Sequence, residues 1–95
     1  MRPFSRITTK QFRKDLRRLE KSGFKLAKLE DIIDILVSGE NVPSSYRDHE
    51  LKGAMKGKRA CHVAPDWLLV YIKDNEKLIL LLLRTGSHRT ALGIE

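Results

Sequence analysis

The sequence of 95 residues contains a single cysteine, Cys61. One thiol cannot close an internal disulfide, and this usage fits a reducing, cytoplasmic home. Long apolar runs are missing as well. The longest, Leu78 to Leu83, falls far short of the ~20 residues that a membrane-spanning helix needs. The opening Met1-Arg2-Pro3-Phe4-Ser5-Arg6 is basic but leads into no apolar stretch, so no secretory signal is expected. Glycine-rich phosphate loops are lacking too. Gly53, Gly57 and Gly86 do not join a strand to a following helix and form no nucleotide-binding fingerprint. No nucleophile elbow surrounds Ser87-His88, which excludes the corresponding hydrolase signature. There are no repeats, low-complexity tracts or linkers, and the length suits one domain over residues 1–95.

Acidic side chains are scarce at one end only. The chain carries a net charge of +7. Residues 1–28 hold ten basic groups against Asp15 and Glu20, a local net of +8, and the rest is close to balanced at −1. Such a segment attracts polyanions by counterion release. Nucleic acid is the common target, while an acidic protein, an anionic membrane surface or a merely solvated face would show the same charges. The apolar share of 41% is that of a globular protein.

The apolar residues change period halfway along. Phe4, Arg6 and Ile7 read as a short opening strand. Thr8 or Thr9 caps a helix in which Phe12, Leu16 and Leu19 form one stripe, and Ser22-Gly23 ends it. Leu26, Leu29, Ile32, Ile33, Leu36 and Val37 mark a second helix, stopped by Ser38-Gly39. Beyond the loop from Asn41 to Ser45, Arg59 to Val63 reads as a strand. Trp67 to Ile72 is apolar on both faces and belongs in the middle of a sheet. Lys73 to Lys77 forms a turn, Leu78 to Arg84 a further strand, and Thr85-Gly86-Ser87 breaks it before a short tail. The expected architecture is α+β, an N-terminal helix hairpin packed on a small twisted antiparallel sheet.

All three histidines, His49, His62 and His88, fall in the sheet half. Imidazole titrates near neutrality, so it gives and takes protons at working pH. Asp66 stands at the entrance of the central strand, and Arg84 closes an apolar one. A lone histidine is ordinarily structural, but three with a nearby Asp and Arg suit one reaction. RNA carries its own nucleophile, the 2′-hydroxyl. Cleavage needs a base for that proton, an acid for the leaving 5′-oxygen and a cation on the phosphorane. This set calls for no cofactor and no metal. A zinc site from Cys61, His62, His49 and His88 is disfavoured, since neighbours on a strand point to opposite faces. Trp67 and Tyr71 share one face and read as core, with Trp67 the more reachable, and Arg84 has a candidate partner in Asp66.

Four stretches carry a family likeness: Tyr46-Arg47-Asp48-His49-Glu50-Leu51-Lys52-Gly53, Gly57-Lys58-Arg59-Ala60-Cys61-His62, Pro65-Asp66-Trp67-Leu68-Leu69-Val70-Tyr71 and Arg84-Thr85-Gly86-Ser87-His88. Together they closely resemble the YafQ family of toxins, within the RelE/ParE superfamily of toxin–antitoxin systems. The resemblance implies a bacterial endoribonuclease acting on mRNA at the ribosome and silenced by a cognate antitoxin, through which the complex binds its own operator DNA. It implies that His49, His62 and Asp66 serve on the base side or in positioning, that Arg84 holds the scissile phosphate, and that His88 is the general acid. Trp67 would shape the pocket, with Lys52, Lys56, Arg59 and Leu92 as further RNA contacts. Arg13, Lys14, Arg17 and Arg18 would grip ribosomal RNA. Leu92 and Lys58 stand where family members often carry an aromatic residue. Two other functions fit the same fold, a gyrase-blocking toxin and a catalytically inactive RNA- or protein-binding module. Relatives of the first kind generally lack this histidine set.

Overall fold

The computed structural model describes residues 3–92. Strand β1 (Ser5–Thr8) runs directly into helix α1 (Lys10–Lys21). Thr9 makes the junction. Its Oγ1 accepts the Phe12 N–H at 3.0 Å, capping the helix, and donates to the Leu83 carbonyl at 2.9 Å. Helix α2 (Leu26–Val37) follows. The chain continues through β2 (His49–Glu50), β3 (Arg59–Ala64), β4 (Trp67–Asp74), β5 (Ile79–Gly86) and a short helix, α3 (His88–Leu92). Among the described residues, no helix is long and apolar enough to cross a membrane.

The five strands form one sheet in the order β1-β5-β4-β3-β2. Strands β2, β3, β4 and β5 pair in succession antiparallel, as expected. The sheet as a whole is mixed, because β1 pairs with β5 in parallel. Strand β5 also differs from the expected bounds. It begins at Ile79, since Leu78 adopts a left-handed φ of +54° in the turn. It then continues through Thr85 and Gly86, and the Thr85 hydroxyl is satisfied inside the fold rather than released to a loop. The expected tail is instead α3.

The sheet has two unlike faces. Helices α1 and α2 cover one of them, burying Phe12, Leu19, Leu29, Ile32, Ile33 and Leu36 against Cys61, Val63, Trp67, Leu69, Tyr71, Leu80 and Leu82. Each such fully buried side chain contributes about 1.5–3 kcal/mol relative to exposure. On the outer face Ala60, Leu68 and Val70 meet Ala91, with Leu51, Met55, Leu83 and Leu92 partly buried around them. Strand β4 is thus covered on both sides, which explains its unbroken apolar run.

A bulge in β5 decides which side chains reach the outer face. Tyr71 pairs with Leu82, but Val70 pairs with Arg84, so Leu83 is an extra residue. That insertion resets the alternation. Arg84 comes to the face of Val70, and Thr85 turns inward, where it is buried.

Candidate active site

The outer face collects the histidines. Cross-strand neighbours share a face, and His49 pairs with Ala60 and His62 with Leu68. His88 opens α3, which folds back over the same face. Gly86 permits that return, because at φ +148° a Cβ would stand 3.2 Å from the Thr90 side chain. The rings form a row. His62 lies in the middle, with its centroid 6.2 Å from His49 and 5.3 Å from His88.

Each outer ring is anchored through one nitrogen. His49 donates its Nδ1–H to the Arg47 carbonyl at 2.8 Å, since a carbonyl can only accept. Arg47 sits in the left-handed region, at φ +50°, as the chain turns from the 3-10 turn Ser44–Tyr46 into β2. His88 donates its Nδ1–H to Asp66 Oδ1 at 2.7 Å, and the same oxygen accepts the His88 backbone N–H at 3.1 Å. Those two hydrogen bonds hold the Asp66 carboxyl below the usual carboxylate range, so it stays ionised. In both histidines Nε2 is the atom left for proton transfer.

His62 is different. Its Nδ1 is buried without a partner among the described residues. Burial pushes its pKa below that of free imidazole, and the nearby His88, Arg47 and His49 push it the same way. The central ring is therefore neutral at neutral pH. A cleft beside it is lined by Lys28, Tyr46, Arg47, Pro65 and His88, which offers cations around the histidines.

Arg84 does not pair with Asp66. Its Nε and Nη2 donate to Asp15 Oδ2 and Oδ1 at 2.8 and 3.3 Å. Register places Arg84 and His62 on one face, two strands and two residues apart, or about 12 Å between backbones. Asp15 is fully buried. Burial alone would raise its pKa, but hydrogen bonds from Arg84, the Thr85 backbone, Gln11 and Arg18 outweigh that and bring it below the ordinary value. One sign of this role is present along the chain. Asp15 lies three residues after Phe12 and four before Leu19, on the apolar stripe, where a charge needs a buried partner.

The expected RNA-contacting residues divide. Lys52 and Lys56 are exposed on the loop whose Leu51 and Met55 border the outer face. Leu92 packs into that face as part of its apolar cluster. Arg59 points to the helix-covered side, where its Nε and Nη2 donate to Asp48 Oδ2 at 3.3 and 3.1 Å. Asp48 also accepts from the buried Tyr71 hydroxyl. This pairing is invisible in sequence because its members are far apart along the chain. Trp67 is only 4% exposed, with its indole N–H on Thr85 Oγ1 at 2.9 Å and its ring edge-to-face with Phe24. It offers no face to a base.

On α1, Lys14 and Arg17 are exposed, while Arg13 bonds Thr8 and Arg18 reaches Asp15. Cys61 is buried under the helices, its thiol pushed up to about 12 by burial, and lies away from the histidines. Among the described residues no three His, Cys, Asp or Glu side chains converge as a metal-binding set.

Known proteins share this fold. The family model described as the bacterial toxin of type II toxin–antitoxin systems, YafQ, matches residues 5–92. The chain is 38% identical over 84 residues to the mRNA interferase toxin YafQ of Escherichia coli K12, covering 87% of this chain and 89% of that protein. It matches the YafQ structure from the E. coli DinJ–YafQ toxin–antitoxin complex with a TM-score of 0.83 at 32% identity, over 90% of this chain and 93% of that one. A metal-bound toxin from Helicobacter pylori matches with a TM-score of 0.83 at 41% identity, over 90% and 94% of the two chains. With the histidine row and the fold both in place, the chain belongs to the YafQ family of bacterial type II toxin–antitoxin toxins.

Proposed function

We propose that this toxin is an endoribonuclease that cuts mRNA on the ribosome by attack of the 2′-hydroxyl on the adjacent phosphate, without a metal. The observation that carries the reading is the row of three imidazoles on one sheet face, the outer two anchored through Nδ1 so that Nε2 is free. The name of the E. coli relative, an mRNA interferase toxin, supports the same activity.

In this mechanism the base takes the 2′-hydroxyl proton, and the 2′-oxygen attacks phosphorus. The bond to the 5′-oxygen breaks, and His88 gives its Nε2 proton to that oxygen. Asp66 balances the charge of the protonated His88 ring and fixes its orientation. His49 is the base, because its Nε2 lone pair is exposed once Nδ1–H is held by Arg47. Neutral His62 lies between acid and base and contacts the reacting phosphate. Arg84 stabilises the phosphorane oxygens. Exposed Lys52 and Lys56 steer the message, while Lys14 and Arg17 of α1 hold ribosomal RNA. A cognate antitoxin silences the protein in the cytoplasm, as the complex of the E. coli relative with DinJ supports, and carries the pair to operator DNA.

Mapping the cuts in a translated message tests the reading. Fragments should end in a cyclic phosphate opposite a 5′-hydroxyl, with the rate unchanged by a chelator. The His88→Ala variant should lose cleavage and keep ribosome binding. A chelator-sensitive reaction leaving 5′-phosphates would refute the internal-nucleophile route.

A further inference from the structure

Among the described residues Asp15 is the one carboxylate buried to 0% exposure, and it stands at the end of β5 that β1 leaves unpaired. Pairing of β1 with β5 stops at Thr8 and Leu82. Past that point α1 takes over the edge, and Asp15 Oδ2 accepts the Thr85 backbone N–H at 3.1 Å, as a strand carbonyl would. The same oxygen accepts Arg84 Nε at 2.8 Å. Oδ1 takes Arg84 Nη2 at 3.3 Å and Arg18 Nη2 at 2.8 Å. Thr85 is itself locked, since its hydroxyl donates to the Leu68 carbonyl at 2.8 Å and accepts the Trp67 indole N–H.

A guanidinium has two edges that can grip oxygen atoms in pairs. Here the Nε–Nη2 edge is occupied by Asp15. No described residue occupies the Nη1–Nη2 edge in the same paired way. We propose that Asp15 is a positioning residue for Arg84, fixing one edge of the guanidinium so that the other is presented to the scissile phosphate. The inference rests on the assignment of Arg84 to that phosphate. It also gives Trp67 a part in the reaction without contact to RNA, because Trp67 holds Thr85, and Thr85 and Arg84 share one carboxylate oxygen.

An unanchored arginine at this position would sample many rotamers, and a misplacement of about 1 Å in a catalytic group costs up to about a hundredfold in rate. Asn is isosteric with Asp, and its oxygen in the Oδ2 position can still accept the Thr85 N–H and Arg84 Nε, but its NH₂ in the Oδ1 position cannot accept from Arg84 Nη2 or Arg18, so the paired grip on the guanidinium edge is broken. The Asp15→Asn variant should therefore lose about tenfold to a hundredfold in kcat with KM unchanged.

A double-mutant cycle on RNA cleavage separates positioning from general support of the fold. With Arg84→Ala already present, adding Asp15→Asn should cost nothing further. If the two losses instead multiply, Asp15 acts through the fold alone and the proposal is overturned, while the role of Arg84 stands. If Arg84→Ala is as active as the parent protein, the phosphate assignment fails and takes the inference with it. Chemical rescue provides a readout in which Asp15 is left intact. Methylguanidinium added to Arg84→Ala should restore part of the rate, because the buried carboxylate still offers its docking edge. Absence of rescue in the folded variant would also overturn the proposal.

Discussion

Replacing Trp67 with phenylalanine tests whether the indole serves the core or the RNA. The ring is 4% exposed and its N–H is bonded to Thr85 Oγ1 at 2.9 Å. Phenylalanine removes that donor and leaves the Thr85 oxygen one partner short, a cost of about 1 kcal/mol. The smaller ring also leaves a void against Phe24 and the helices. Full truncation of a buried aromatic costs about 3–5 kcal/mol, so the partial loss is about 1–2 kcal/mol. The sum, about 2–3 kcal/mol, corresponds to a fall of about 10–20 °C in Tm for a domain of this size. In urea, with a slope of about 1 kcal/mol per molar, the midpoint should drop by about 2–3 M with the slope unchanged. A variant with the parent's midpoint and a weakened grip on RNA would refute the core assignment, since the indole would then face the substrate.

Two further outcomes follow from charge. Burial, then the charges of His88, Arg47 and His49, lower the pKa of His62 in the folded state. The unfolded chain therefore binds a proton first as pH falls, and stability should decline below about pH 6.5. His62→Gln should flatten that decline in urea midpoints compared between about pH 7.5 and about pH 5.5, and an unchanged slope would show that burial does not govern the ring. On α1, Lys14→Glu with Arg17→Glu should weaken binding to ribosomal RNA. The salt dependence should shrink by about 0.7–0.9 in log–log slope for each phosphate that is no longer neutralised. Equal binding at low and moderate salt would remove α1 from the interface.

Much of the fold is legible in the pattern of side chains. Phe12, Leu16 and Leu19 mark α1, Leu29, Ile32, Ile33 and Leu36 mark α2, and the run from Trp67 marks a strand buried on both sides. Each depends on local period, which sequence records directly. The parallel pairing of β1 does not, because its partner is remote. The bulge at Leu83 does not either, since one extra residue leaves no mark in composition. Helix α3 is too short to show a period, and it forms because Ala91 and Leu92 find apolar cover on the outer face.

The site divides in the same way. Residue types determine which proton carriers and cations are present, so His49, His62, His88, Asp66 and Arg84 stand out at once. Geometry determines who holds whom. Asp66 belongs to His88, Arg84 to Asp15, and Arg59 to Asp48 on the far side of the sheet. Chemical identity is written along the chain, whereas pairing between distant charges is settled by register, twist and the edge of a sheet. That is why the proton carriers and cations can be listed from the residues alone, and the orientation of the arginine read only from the packed protein.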